Sequence, residues 1–228
     1  MLVILDYGGT LIRMKRSEED VLRDTLKELS NRWNVDVELL EKSYREIFDS
    51  YNRRRNEYHA EVFSRTLRRA FLRRVVDVTE DDIRRAHSLL VKKRQEATEP
   101  FEDVRETLEE LKSQGYKLAL LSNATYHDAV IGSLDYHDLL KYIDYPYTSA
   151  SLGVRKPHPR SFILAARLSG FEPKDAVMVG NDPYKDYLGA VNAGLRAVLI
   201  DRSGESKANV KNVINDLRRL PEILSSRF

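Results

Sequence analysis

Apolar positions along the chain follow two different periods. Leu2-Val3-Ile4-Leu5, Leu118-Ala119-Leu120-Leu121, Val177-Met178-Val179 and Ala197-Val198-Leu199-Ile200 are short, unbroken apolar runs. Runs of that length bounded by polar or glycine-rich segments predict strands buried on both faces. A shorter strand piece is expected near Tyr145. From about Glu18 to Ala97 the period changes. Val21, Leu22, Leu26 and Leu29, then Leu40, Tyr44, Ile47, Phe48 and Tyr51, then Val62, Phe63, Leu67, Ala70 and Phe71, then Ile83, Ala86, Leu89 and Leu90 recur at helical spacing. No strand-like alternation interrupts them, which predicts a bundle of about four helices with linkers near Ile12–Lys15 and Glu99–Phe101. Ser17-Glu18-Glu19-Asp20 and Thr79-Glu80-Asp81-Asp82 suit helix starts, setting acidic groups against the positive end of the helix dipole. After Pro100 helices and apolar strands alternate, as in a parallel sheet covered by helices on both faces. The tail from Val210 to Leu224, apolar at Val213, Ile214, Leu217 and Leu220, reads as a packing helix. The expected domains are therefore an α/β core of residues 1–14 and 99–228 and a helical insertion of residues 15–98.

Chemistry collects at the predicted strand ends. The first run stops at Asp6 and turns into Tyr7-Gly8-Gly9-Thr10. Paired glycines let backbone approach a ligand closely and expose N–H groups to an anion, and a carboxylate beside them is a candidate covalent nucleophile. The second run stops at Ser122-Asn123. Gly153-Val154-Arg155-Lys156-Pro157 sets a lysine before a rigid proline, and the third run opens into Gly180-Asn181-Asp182-Pro183-Tyr184-Lys185-Asp186. Each segment also has an ordinary explanation: Asn-Asp-Pro is a natural helix start, lysine is usually a solvated surface residue, and a hydroxyl after Gly-Gly is often a cap.

Taken in order, the four segments resemble the haloacid dehalogenase-like hydrolases. Their first motif is D-x-D-G-T, their second an apolar strand ending in Ser or Thr, their third a Lys and their fourth an acidic pair after a strand. The Gly-Ala-x-x-Ala-Gly run from Gly189 to Gly194 extends the match, so the resemblance covers nearly the whole chain. It implies a Rossmann-like parallel sheet core with helices on both faces plus an inserted α-helical cap domain. It further implies that Asp6 attacks phosphorus to form an aspartyl-phosphate, with Thr10 orienting Asp6. Gly9, Ser122, Asn123 and Lys156 would bind the phosphate, with Arg13 at the hinge a further candidate for an anionic part of the substrate. A divalent ion, Mg²⁺, would be held by Asp6, the Gly8 carbonyl and the fourth motif, since hard oxygen ligands suit it. There Asp182 is favoured as the side-chain ligand, Asn181 is its rival, and Asp186 either coordinates through water or orients Lys156.

One position departs from the pattern. Family phosphatases carry a second Asp where this chain has Gly8, and that Asp protonates the leaving group and then activates water. Glycine transfers no proton, and loss of a general acid–base costs roughly 10²–10⁴-fold in rate. Tyr7, Tyr126, His127 and His158 are the substitutes that the motifs bring near. Three functions follow: a slow Mg²⁺-dependent phosphatase or phosphotransferase acting on a small phosphorylated metabolite; a 2-haloacid dehalogenase-type hydrolase attacking carbon; or a phosphate-binding regulatory protein with little turnover.

Composition narrows the field around this. The 228 residues are 42% hydrophobic, enough to bury a full core. Absence of cysteine removes disulfide and thiolate chemistry. No apolar run reaches membrane-spanning length, so no membrane partner and a cytoplasmic location are expected. The 38 basic and 36 acidic residues nearly cancel, which gives no reason to expect nucleic acid. The inserted segment is rich in arginine, at Arg53-Arg54-Arg55, Arg68-Arg69 and Arg73-Arg74. A solvated helix face is the preferred reading of these, with anion binding by one or two of them as the alternative. Oligomeric state leaves no mark on the residue pattern.

Overall fold

The computed structural model describes residues 1–54, 67–68, 70, 79–124, 126–204 and 210–227. Six parallel strands form one sheet: β1 (Leu2–Leu5), β4 (Lys117–Ser122), β5 (Tyr145–Thr148), β6 (Ala176–Gly180), β7 (Arg196–Ile200) and β8 (Val213–Ile214), in the order β5-β4-β1-β6-β7-β8. A separate two-stranded antiparallel ribbon pairs β2 (Ile12–Met14) with β3 (Thr98–Pro100).

β1 is central because it has no polar side chain to hydrate: all four of its residues are buried. Leu2 and Ile4 face one side with Ala119, Leu121, Met178 and Leu199. Val3 and Leu5 face the other with Leu118, Leu120, Val177, Val179 and Ile200. This period of two makes each strand contribute to two cores at once. On the first side lie α7 (Pro159–Leu168), through Phe162, Ala165 and Ala166, and α8 (Gly189–Asn192), through Ala190. On the second lie α4 (Val104–Ser113), α5 (His127–Tyr136) and the final helix α9 (Leu220–Arg227). A short helix α6 (Ser149–Leu152) follows β5. The chain leaves β1 for β4 and β5 on one side, then returns to β6 on the other. The strand order thus reverses beside β1, which is where open α/β sheets form a crevice at their carboxyl ends.

Helices α1 (Glu18–Trp33), α2 (Val37–Arg54) and α3 (Glu80–Glu96) lie between the two ribbon strands in sequence and share a third core of Val21, Leu26, Leu29, Leu40, Tyr44, Ile47, Ala86 and Leu90. Both expected helix starts are present. Ser17 accepts from the Asp20 N–H, and Thr79 and Asp82 form a reciprocal capping box. Trp33 packs in this cluster and donates to Asp82 at 3.1 Å. Helix α3 lies against α5, where Gly132 permits a close approach: a Cβ there would meet Gln95 Nε2 at 2.9 Å. Gln95 in turn donates to the Gly132 carbonyl at 2.9 Å.

Two sequence expectations need correction. The linkers at Ile12–Lys15 and Glu99–Phe101 are largely the ribbon β2–β3, whose three-residue strands are too short for periodicity to reveal. The tail is not one helix. Val213 and Ile214 add an edge strand beside Leu199 and Ile200, and only Leu220–Arg227 is α-helical, after a 3₁₀ turn at Leu217–Arg219. The apolar positions Val62, Phe63 and Phe71 and the arginines Arg55, Arg69, Arg73 and Arg74 lie outside the described residues.

Below the ribbon, Arg202 ties three segments together. It donates to Asp103 at 2.9 and 3.0 Å and to the Thr10 carbonyl at 2.6 Å, while its guanidinium lies 3.7 Å from the Phe101 ring centre. Asp103 also accepts from the Leu217 N–H at 2.7 Å. Removing the buried Asp103 leaves the partly exposed Arg202 guanidinium and the Leu217 N–H without their acceptor. Asp103→Ala is therefore expected to lower unfolding free energy by about 1–3 kcal/mol, read from denaturant midpoints. Asp81→Ala, which breaks the exposed Arg85 pair on α3, serves as the control and should cost far less.

Candidate active site

The crevice beside β1 holds a cavity of about 250 Å³ lined by Asp6, Tyr7, Gly8, Ser122, Asn123, Lys156, Asn181, Asp182, Lys185 and Asp186 from the core, and by Glu18 and Arg94 from α1 and α3. β1 places Asp6, β4 places Ser122 and β6 leads into Asn181, so the three strand ends around the reversal point supply most of its wall.

Lys156 organises the floor. Its ammonium lies 2.6 Å from Asp6 Oδ1 and 2.6 Å from Asp186 Oδ1, and its side chain is 2% exposed. A buried ammonium is expensive unless it is paired, and here two carboxylates share it. Burial works to lower the Lys156 pKa, but Asp186 and Asp6 outweigh it and hold the ammonium firmly protonated. The loop carrying Lys156 is clamped through its backbone: Asn123 Nδ2 donates to the Lys156 carbonyl and Asn123 Oδ1 accepts its N–H, both at 2.8 Å. Asn123 thus spends its side-chain amide on positioning Lys156.

Asp6 accepts from Thr10 at 3.2 Å through Oδ2. The turn after it is closed by the Gly9 N–H bonding the Ile12 carbonyl and by the Leu11 and Ile12 N–H groups bonding the Tyr7 carbonyl. Gly9 has φ +80, and a Cβ there would strike the Asn181 amide at 2.5 Å. Glycine is needed for both reasons. Gly180 is needed for one: a Cβ would overlap the Asp186 carboxyl at 2.4 Å. The segment Pro183–Leu188 is wound as a π-helix, with the Tyr187 N–H reaching the Asp182 carbonyl at 3.2 Å. That wider turn buries Asp186 beside Lys156.

The sequence candidates are therefore distributed unevenly. Asp6, Gly8, Ser122, Asn123, Lys156, Asn181, Asp182 and Asp186 line one cavity, and Thr10 supports Asp6 from below. Asp186 pairs with Lys156. Asp182 also caps the following helix, accepting from the Tyr184 and Lys185 N–H groups at 3.0 and 2.8 Å, and it pairs with Lys185 Nζ at 2.7 Å. Asn181 is exposed and packs its amide against Gly9. Arg13 is not brought to the site: it pairs with Glu99 across the ribbon at 2.6 Å and stays half exposed. Of the substitutes for the missing acid, His127 bonds Thr148 and His158 caps α7, and neither lines the cavity. Tyr126 bonds Tyr44 at 3.1 Å. Tyr7 lines the cavity, but burial pushes its hydroxyl above the ordinary phenol value, away from what proton donation at neutral pH requires.

Sequence reasoning missed Glu18 and Arg94. Arg94 continues the buried stripe of Ile83, Ala86 and Leu90 on α3, so a cation stands at an apolar position of the helical period. That displacement from the polar face was the available signal. The Lys92-Lys93-Arg94 run concealed it as surface charge.

Among the described residues no three acidic or histidine side chains gather around one point. A cation here would combine the Asp6 carboxylate with the Gly8 carbonyl and either the Asn181 amide oxygen or the Asp182 carboxylate. That mixture fits Mg²⁺, which takes one or two carboxylates and fills its shell with water and phosphate.

Fold and site together define an α/β enzyme core with a carboxylate crevice at the strand ends. A family model described as haloacid dehalogenase-like hydrolase matches residues 1–194, and the chain belongs to that family. It is 36% identical over 138 residues to a glyceraldehyde 3-phosphate phosphatase of Methanothermobacter thermautotrophicus, covering 55% of this chain and 58% of the relative. It is 36% identical over 120 residues to a phosphoserine phosphatase of Thermus thermophilus, covering 50% and 46%. The chain thus matches only about half the length of these relatives. A 2-haloacid dehalogenase of Pseudomonas syringae shares the fold with TM-score 0.76 at 25% identity, covering 98% of this chain and 97% of that one. No described helix is long and apolar enough to cross a membrane.

Burial, opposed by Lys156 and reinforced by Asp186, lifts the Asp6 carboxyl to about 6. A raised carboxyl favours its protonated form in the folded state. The stability it contributes is present below the ordinary carboxylate value and fades as pH rises through about 6. Without metal, Asp6→Asn should therefore gain on the order of 1–3 kcal/mol over wild type at pH 8, and the gain should vanish below about pH 4. Unfolding in chelator across that range is the check; a less stable variant at pH 8 contradicts it.

Proposed function

We propose that the chain is a Mg²⁺-dependent phosphohydrolase or phosphotransferase acting on a small phosphorylated molecule through an aspartyl-phosphate at Asp6. The observation that carries this reading is the buried Asp6–Lys156–Asp186 array facing Ser122 across one small cavity. The phosphatase names of its relatives agree with it.

In this reading phosphate enters against Ser122, whose hydroxyl donates to one oxygen, and against the Lys156 ammonium. Asp6 attacks in line, with Thr10 and Lys156 holding its carboxylate in place. Asp186 and Asn123 are positioning residues, one fixing the ammonium and the other the backbone beneath it. Mg²⁺ bound by Asp6, the Gly8 carbonyl and Asn181 or Asp182 would offset repulsion between carboxylate and phosphate. In this reading residues 1–14 and 99–228 are the core and residues 15–98 a cap, whose helices α1 and α3 bring Glu18 and Arg94 to the cavity.

The test is phosphate release from p-nitrophenyl phosphate and acetyl phosphate, with Mg²⁺ or chelator, and halide release from chloroacetate in parallel. Wild type should release phosphate only with Mg²⁺. Asp6→Asn should lose roughly 10³-fold or more in kcat/KM, and Ser122→Ala a smaller amount. Phosphate release that survives Asp6→Asn, or halide release without metal, overturns the reading.

A further inference from the structure

We propose that the cavity is built for phosphorylated acids, acyl phosphates or phosphoanhydrides, whose leaving group departs as an anion and is received by Arg94. The proposal rests on the phosphohydrolase reading above and names its substrate class.

Three observations converge on it. First, the place of a proton donor is empty: a Cβ at Gly8 would meet no atom within 4 Å. Second, each remaining carboxylate of the cavity is ion-paired with a cation: Asp182 with Lys185 at 2.7 Å, Asp186 with Lys156 at 2.6 Å and Glu18 with Arg94 at 2.7 Å. None is free to donate. Third, Arg94 is a buried cation on the side of the cavity contributed by the inserted helices. It is 8% exposed, and among the described residues its ion pair is to the largely exposed Glu18 and its buried Nε has no hydrogen-bond partner. Lys156 and Lys185 are already held by core carboxylates. Arg94 therefore has donor capacity left, in a desolvated setting where a charge-assisted hydrogen bond is strong.

In-line displacement at phosphorus sends the leaving oxygen away from Asp6, out of the strand-end floor and toward the inserted helices. An alkoxide leaving there needs a proton, and among the described residues no carboxylate of the cavity is free to supply it. A carboxylate or phosphate does not. The balance is closed: an Asp6 oxygen bonds phosphorus, the bond from phosphorus to the leaving oxygen breaks, and that oxygen keeps the electron pair and leaves as an anion on the guanidinium. Water then attacks the aspartyl-phosphate, the bond to Asp6 breaks, and the proton of the water passes to the departing phosphate. An aspartyl-phosphate is itself an acyl phosphate, so this second step also releases a carboxylate that needs no proton.

The test compares kcat/KM for acetyl phosphate, diphosphate and glycerol 3-phosphate, with Mg²⁺, in wild type, Arg94→Ala, Arg94→Lys and Gly8→Asp. Wild type should favour acetyl phosphate or diphosphate over the alkyl ester by at least roughly 10²-fold, the contribution of an absent general acid. Whichever of the two is preferred decides between acyl phosphate and phosphoanhydride. Arg94→Ala should lower the anhydride rates about 10–100-fold with little change for the ester, Arg94→Lys should recover part of the loss, and Gly8→Asp should narrow the gap between classes. A merely structural Arg94 would lower all three substrates together. Equal use of glycerol 3-phosphate and acetyl phosphate by wild type overturns the proposal, as does a uniform loss in both Arg94 variants. If Arg94→Ala fails to fold, Arg94→Lys and the wild-type ratio still decide. Failure of the phosphohydrolase reading looks different: no phosphate is released from any substrate, or release persists in Asp6→Asn.

Discussion

The arrangement depends on one ammonium shared by two carboxylates. Lys156 reaches the crevice from a loop far in sequence from both partners and is buried with them. Two carboxylates around one cation leave a net negative charge in a desolvated place. Fold stability alone gains nothing from that excess, since a one-to-one pair would satisfy the lysine equally well. In the proposed reaction that excess is offset when a cation arrives with the phosphate. Neighbouring constraints serve the same trio: Asn123 clamps the lysine backbone, the π-turn at Pro183–Leu188 buries Asp186, and Gly180 leaves room for its carboxyl.

The sheet explains why these groups can meet at all. Asp6, Ser122 and Asn181 are brought together from distant parts of the chain because β1 pairs with β4 on one side and β6 on the other, with registers that bring the three strand ends within two residues of one another. The central strands could be read from sequence since both faces are buried and their side chains are nearly all apolar. The antiparallel ribbon at β2–β3 and the edge strand at β8 could not. Three-residue and two-residue strands carry too little pattern to separate them from a linker or from a helix tail, and their pairing is set by what surrounds them.

Much of the site was legible for a related reason: its residues stand at the ends of apolar runs, where a charged or hydroxyl side chain interrupts an otherwise buried segment. Three roles were not legible. Asp182 is shared between the cavity and a helix cap, and sequence cannot apportion a side chain between two uses. Arg13 looked close because it is near Asp6 in sequence, yet the ribbon turns it to Glu99. Arg94 looked remote because it sits in a basic run more than eighty residues away, yet helix α3 carries it back over the crevice.

Arg94 and Gly8 are best understood together. A glycine at the acid's position would be a plain defect if the rest of the cavity had stayed that of an enzyme needing a proton donor. A buried arginine on an apolar stripe would be a plain cost if it faced nothing. Each removes the difficulty posed by the other: the empty volume above Gly8 leaves space for a bulky anionic leaving group, and the partly unsatisfied guanidinium gives that anion a partner. The cost of desolvating Arg94 is then recovered only when an anion forms in the cavity, so its stabilisation rises along the reaction rather than being spent on the bound ground state.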